Sequence, residues 1–83
     1  MAKTPVGKVT HFFNKISVAV VELKGTLRVG DTISIEGPNT NFTQSVGSMQ
    51  VEHKNIEEAK AGESIGMKVD QPVKAGDLVF KEE

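Results

Sequence analysis

A six-residue pattern that occurs three times constrains this chain most. It reads Arg28-Val29-Gly30-Asp31-Thr32-Ile33, then Lys60-Ala61-Gly62-Glu63-Ser64-Ile65, then Lys74-Ala75-Gly76-Asp77-Leu78-Val79. Each copy runs basic residue, small apolar residue, glycine, acid, any residue, β-branched residue. The glycines are 32 and 14 residues apart, so the pattern is not a tandem repeat. Glycine supplies a backbone conformation closed to other residues, and the acid can accept backbone N–H bonds. The apolar residue two places later begins an inward face. The pattern is therefore a device for opening a strand. About six short strands punctuated in this way predict an all-β fold, a small closed or nearly closed six-stranded antiparallel β-barrel.

Composition agrees. Eleven Val and five Ile stand against three Leu, and stiff β-branched side chains favour strands over helices. At 83 residues the chain is one domain, 1–83, with an ordered core expected over about 6–80. Ten Lys+Arg against eleven Asp+Glu leave a formal charge of −1, without the basic excess of a strong phosphate binder. The absence of Cys excludes a disulfide scaffold, a zinc ribbon and a thiol nucleophile. With no signal-peptide pattern and no apolar run long enough to span a bilayer, a cytoplasmic location is expected and no membrane partner.

Period-two alternation places the strands. Val6 to Phe13 is the first and Ile16 to Leu23 the second, joined by Asn14-Lys15 as a two-residue hairpin turn. The second is apolar on both faces, Ile16, Val18 and Val20 on one and Ala19, Val21 and Leu23 on the other. Asp31 to Glu36 turns Ile33 and Ile35 inward. Phe42 to Glu52 changes phase, which predicts a β-bulge near Gly47-Ser48. Asn55 to Ala61 suits at most one short helical turn, with Asn55 as N-cap and Glu58 at the capping-box position. Ser64 to Val69 and Leu78 to Phe80 complete the set, followed by a solvated Lys81-Glu82-Glu83 tail. The expected core is Val9, Val18, Val20, Leu27, Ile33, Ile35, Val46, Met49, Ile65, Met67, Val69 and Val79.

Chemistry-bearing motifs are sparse. His11 and His53 are the only histidines, without metal-ligand spacing, so no metal site, catalytic residue or cofactor is expected. Lys15, Lys24, Arg28 and Lys54 fall at turns or outward positions, where long side chains could converge as a patch for phosphate. Adjacent Phe12 and Phe13 must face opposite ways in a strand. The exposed one is the best candidate for a partner contact.

The run Val20-Val21-Glu22-Leu23-Lys24-Gly25-Thr26-Leu27-Arg28-Val29-Gly30-Asp31-Thr32-Ile33-Ser34-Ile35-Glu36-Gly37 resembles the second, β-barrel domain of translational GTPases such as elongation factor Tu. So do Gln44 to Gln50, Ala59 to Met67 and Ala75 to Val79. The likeness covers about Val6 to Phe80 and extends to the C-terminal module of U32-type peptidases. The chain looks like the short stand-alone proteins of translation elongation factor-like type. The first resemblance implies a non-catalytic translation module that engages ribosomal RNA, tRNA or a translation-associated protein through Lys15, Lys24, Arg28 and Lys54. The second implies an accessory barrel that docks on an enzyme. Neither carries a GTPase with it: there is no phosphate loop, and Ser17 stands where a guanine-reading aspartate would be. Calorimetry with GTP or GDP should accordingly show no binding at micromolar strength.

Overall fold

The computed structural model describes residues 3–52 and 54–82. Among the described residues ten strands form: β1 (Lys3–Phe13), β2 (Val18–Leu23), β3 (Leu27–Arg28), β4 (Thr32–Gly37), β5 (Thr40–Ser45), β6 (Met49–Val51), β7 (Lys54–Ile56), β8 (Glu58–Ala59), β9 (Ser64–Lys68) and β10 (Leu78–Glu82). Eight pair in one antiparallel sheet in the order β5-β4-β10-β1-β2-β9-β6-β7, and β3 pairs with β8. The fold is all-β, as expected. The six strands become ten, and among the described residues no strand pairing joins β5 to β7 into a closed barrel.

The thrice-used pattern acts as its chemistry requires. Gly30, Gly62 and Gly76 have φ of 97°, 92° and 99°. The acid after each glycine turns back to accept the N–H of the basic residue three places before it: Arg28 N to Asp31 Oδ2 at 2.9 Å, Lys60 N to Glu63 Oε2 at 2.6 Å, Lys74 N to Asp77 Oδ2 at 2.9 Å. Each turn also grips one buried residue of another segment by two backbone hydrogen bonds. Gly30 N–H donates to Val46 O and Val46 N–H to Asp31 O, both at 2.8 Å. Gly62 and Glu63 hold Leu23 in the same way at 2.9 and 2.8 Å, and Gly76 and Asp77 hold Val9 at 2.7 and 2.8 Å. All three gripped residues lie in the core.

Several expectations change. Four residues, 14–17, connect β1 to β2, with Ser17 at φ 55°, so Asn14-Lys15 is part of a longer turn. Strand β2 buries Ala19, Val21 and Leu23 and leaves Val18 and Val20 half-exposed, the reverse of the expected face. Its alternation could not choose, because both faces are apolar. The choice comes from pairing: Val21 lies opposite buried Val9 of β1, and the unbroken alternation of β2 then turns Val20 and Val18 outward. The other ten expected core residues are buried, and Val6, Phe42 and Val73 join them.

The phase change after Phe42 is a corner between two strands, at 46–48, and not a bulge within one. The Asn55–Ala61 helical turn does not form. Asn55 and Ala59 lie on β7 and β8, with Gln50 and Leu27 as strand partners, because seven residues gain too little from helix formation to compete with sheet pairing. Lys81 and Glu82 belong to β10, opposite Thr4 and Lys3; Glu83 lies outside the described residues.

Two side-chain ties complete the frame. Buried Gln44 on β5 donates from Nε2 to Lys68 O at 3.0 Å and accepts from Asp70 N at 2.8 Å. Lys3 Nζ donates to Glu36 Oε2 at 2.7 Å, and Ser34 Oγ donates to the same oxygen at 2.9 Å. These hydrogen bonds hold the Glu36 carboxyl below the usual carboxylate range and raise Lys3 above the usual lysine value. Stability from this exposed pair is thus fully present between those ordinary values. It is lost as pH falls through the lowered Glu36 value or rises through the raised Lys3 value.

Urea unfolding followed by circular dichroism checks the corrected faces, since the chain has no Trp or Tyr. Ile33→Ala should cost about 2–5 kcal/mol. Val20→Ala should stay within about 0.5 kcal/mol of the parent, as at an ordinary surface position.

Candidate functional site

The bulge in β1 builds the site. Val9 is gripped from behind by the Gly76 turn and points inward, while Thr10 is the extra residue of the strand and donates its hydroxyl to Val20 O at 3.3 Å. Alternation resumes beyond it with the opposite sense. His11 and Phe13 then face outward, and Phe12 packs against the core. The sequence expectation of one exposed phenylalanine is met by Phe13, 46% exposed. Its ring lies 4.4 Å from that of His11, tilted by 55°.

Register extends this face across the sheet. His11 lies opposite Val20, Val20 opposite Gly66, and Gly66 opposite Gln50, one row over β1, β2, β9 and β6. Phe13 lies opposite Val18, and Val18 opposite Lys68. Ile16, 59% exposed, stands in the turn above Phe13. Two hollows flank these side chains: one of about 220 Å³ over Val18, Val20 and Gly66, and one of about 340 Å³ beside His11, Asn14 and Lys15. A larger hollow of about 570 Å³ sits nearer the other end of β2, where Lys8 opposes Glu22 and Lys24 adds a second basic side chain. Exposed Phe13 and Ile16 thus lie together beside half-exposed Val18 and Val20, whereas exposed Val29 and Leu78 stand on other elements. The sequence gives no sign of Val18 and Val20 as surface, because β2 is apolar on both faces and only its pairing with β1 and β9 selects the inward one.

The four basic residues stand apart. Lys15 precedes β2 and Lys24 follows it, so they occupy opposite ends of a six-residue strand, about 20 Å long. Arg28 on β3 donates from Nε to Glu58 Oε2 at 2.9 Å. Lys54 is exposed on β7, opposite Val51. They do not gather at one end of the fold. His11 serves the aromatic contact, and His53 lies outside the described residues. Among the described residues no group of three or more His, Cys, Asp or Glu is placed to hold a metal ion. Nor is any helix there long and apolar enough to cross a membrane.

Comparison with known proteins gives a consistent answer. A family model described as the peptidase family U32 C-terminal domain matches residues 3–79. An uncharacterised protease of Methanocaldococcus jannaschii is 44% identical over 79 residues, covering 94% of this chain and 19% of that protein. A collagenase of Porphyromonas gingivalis is 35% identical over 81 residues, covering 95% of this chain and 22% of the collagenase. The chain thus spans about a fifth of the length of these curated relatives. The crystal structure of the C-terminal domain of a putative U32 peptidase of Geobacillus thermoleovorans superimposes with a TM-score of 0.90 at 24% identity, over 96% of this chain and 93% of that one. That likeness shows the fold. The matches correct the translation-factor placement, including elongation-factor character and RNA binding; the U32 resemblance is the one they support.

The two phenylalanines should separate in unfolding experiments. Phe13→Ser should change stability by no more than about 0.5 kcal/mol. Phe12→Ala should cost about 2 kcal/mol from lost burial. Equal losses at the two positions would contradict the assignment of faces.

Proposed function

This chain belongs to the peptidase family U32 C-terminal domain family, and we propose that it acts as a non-catalytic docking module for U32-type peptidases. The observation that carries the proposal is the apolar outward face at Phe13, Ile16, Val18 and Val20. Covering a large apolar side chain is worth about 1.5–3 kcal/mol, enough for a few such residues to anchor a protein contact. The acids of the three turns are occupied in holding backbone N–H groups. The relatives named as a protease and a collagenase carry this module as about a fifth of their length. Peptide-bond cleavage is accordingly assigned to the remainder of such proteins and partner binding to the module.

The test uses the Methanocaldococcus protease, prepared whole and shortened by the segment that matches this chain. The chain should bind the shortened protease. The double variant Phe13→Ser/Ile16→Ser should weaken that binding by about tenfold or more, equivalent to about 1.4 kcal/mol. Peptide hydrolysis should follow the protease and be absent with the chain alone. Hydrolysis by the chain alone, or binding indifferent to the double variant, would rule the proposal out.

A further inference from the structure

The hollow of about 570 Å³ has room for the end of a peptide, and the docking face makes no use of it. The groups beneath it are already engaged. Val9 N–H donates to Asp77 O at 2.8 Å, Val9 O accepts from Gly76 N–H at 2.7 Å, and the Thr10 hydroxyl donates to Val20 O. Charged side chains line the rest: Lys8, Glu22 and Lys24. Lys8 lies directly opposite Glu22. Lys24 follows Glu22 by two residues on the same side of the chain, and its N–H donates to Val6 O at 2.7 Å, which keeps it beside β1.

Among the described residues the ion pairs are Lys3–Glu36, Arg28–Glu58 and Lys81–Asp31, so the two lysines and the glutamate of the hollow belong to none. Leu78, 42% exposed, lies opposite Lys8 on β10 and sets an apolar side chain beside the basic one. Glu36, opposite Leu78 on β4, is held by Lys3 and Ser34. Exposed Lys74 opens the turn that supplies Ala75 and Gly76, so the surroundings are basic. A bare anion suits this set poorly, because Glu22 repels what the lysines attract. A group with a carboxylate and an N–H donor close together satisfies both signs. The last residue of a peptide has that form, its carboxylate and its amide N–H sharing one Cα. We propose that the hollow receives the C-terminal residue of a peptide, its carboxylate toward Lys8 and Lys24, its amide N–H toward Glu22 and an apolar side chain toward Leu78. Hydrolysis of a peptide bond leaves such an end. The inference goes beyond docking and does not depend on it.

The expected strength follows from exposure. Lys8, Glu22 and Lys24 are all exposed, where each charged contact is weak. A dissociation constant of about 1 mM is expected. A site of that strength fills only where peptide ends are concentrated, as they are beside a working peptidase.

NMR titration of the intact chain with acetyl-Gly-Gly-Leu tests the inference. The amide signals of Lys8, Thr10, Glu22 and Gly76 should shift together and saturate. The same peptide made as its C-terminal amide should bind at least about tenfold more weakly. A version whose last amide N–H is replaced by an ester oxygen, with the carboxylate kept, should bind about three- to tenfold more weakly. The double variant Lys8→Gln/Lys24→Gln should weaken binding of the acid about tenfold while the circular dichroism spectrum stays that of the parent. No saturation by about 20 mM, equal binding of any of the three peptides, indifference to the double variant, or shifts centred on Phe13 and Ile16 overturns the inference. Binding of the shortened protease is read separately through Phe13→Ser/Ile16→Ser, so either proposal can fail while the other stands.

Discussion

Everything in this fold hangs on one repeated exchange of backbone hydrogen bonds. A glycine N–H and the carbonyl of the acid after it close on a single residue of a distant segment, and this happens at Val46, Leu23 and Val9. Each acid first ties its own turn by accepting an N–H three residues back, so the donor is aimed before the partner arrives. The turns lead directly into β4, β9 and β10. Three strands are thus started from fixed points against the core. The cost of losing a buried backbone partner, about 1–3 kcal/mol each, makes these points hard to move in a domain with so little stability to spare.

The same exchange shapes the outer surface. The Gly76 turn holds Val9 inward, and the next residue, Thr10, becomes the surplus position of β1. From there the sense of the strand reverses. Phe12 goes to the core and Phe13 to solvent, while β2 presents Val18 and Val20 outward beside it. The apolar patch thereby combines a phenylalanine turned out by the β1 bulge with the outward side of its neighbour β2. The related domains sit within proteases about five times as long, so a surface of this kind has a larger body at hand to meet.

Legibility in the sequence followed the same division. The three turns were readable in full, because glycine, acid and spacing each have a local physical cause. Ile33, Ile35, Ile65 and Met67 were readable as core, since one face of their strands is polar. Val18 and Val20 were not: a strand apolar on both sides carries no phase. Asn55 and Glu58 carry sound helix-start chemistry, yet Ala59 pairs with Leu27 instead, and nothing local announces a partner 32 residues away. Phe13 was recognisable as one of two alternatives from adjacency alone. The groove beside it was invisible, because Gly66 and Gln50 reach it only through strand pairing. The translation-factor resemblance rested on the turns, which many β folds can use, and so it misplaced the family; the all-β class held, while the six expected strands became ten among the described residues.

Gln44 bridges where strand pairing gives out. Its amide donates to the carbonyl of Lys68 and accepts from the N–H of Asp70, joining β5 to the chain just beyond β9 through one side chain. At the three glycine turns two backbone hydrogen bonds share each such junction. A seam held by a single rotatable side chain is the natural place for the molecule to breathe. Its amide hydrogens should exchange with solvent through local opening, while those of Val9, Leu23 and Val46 wait for the whole fold to come apart. Because Lys68 lies opposite Val18, and Val18 opposite Phe13, an opening of this seam reaches the row of the sheet that carries the outward apolar face.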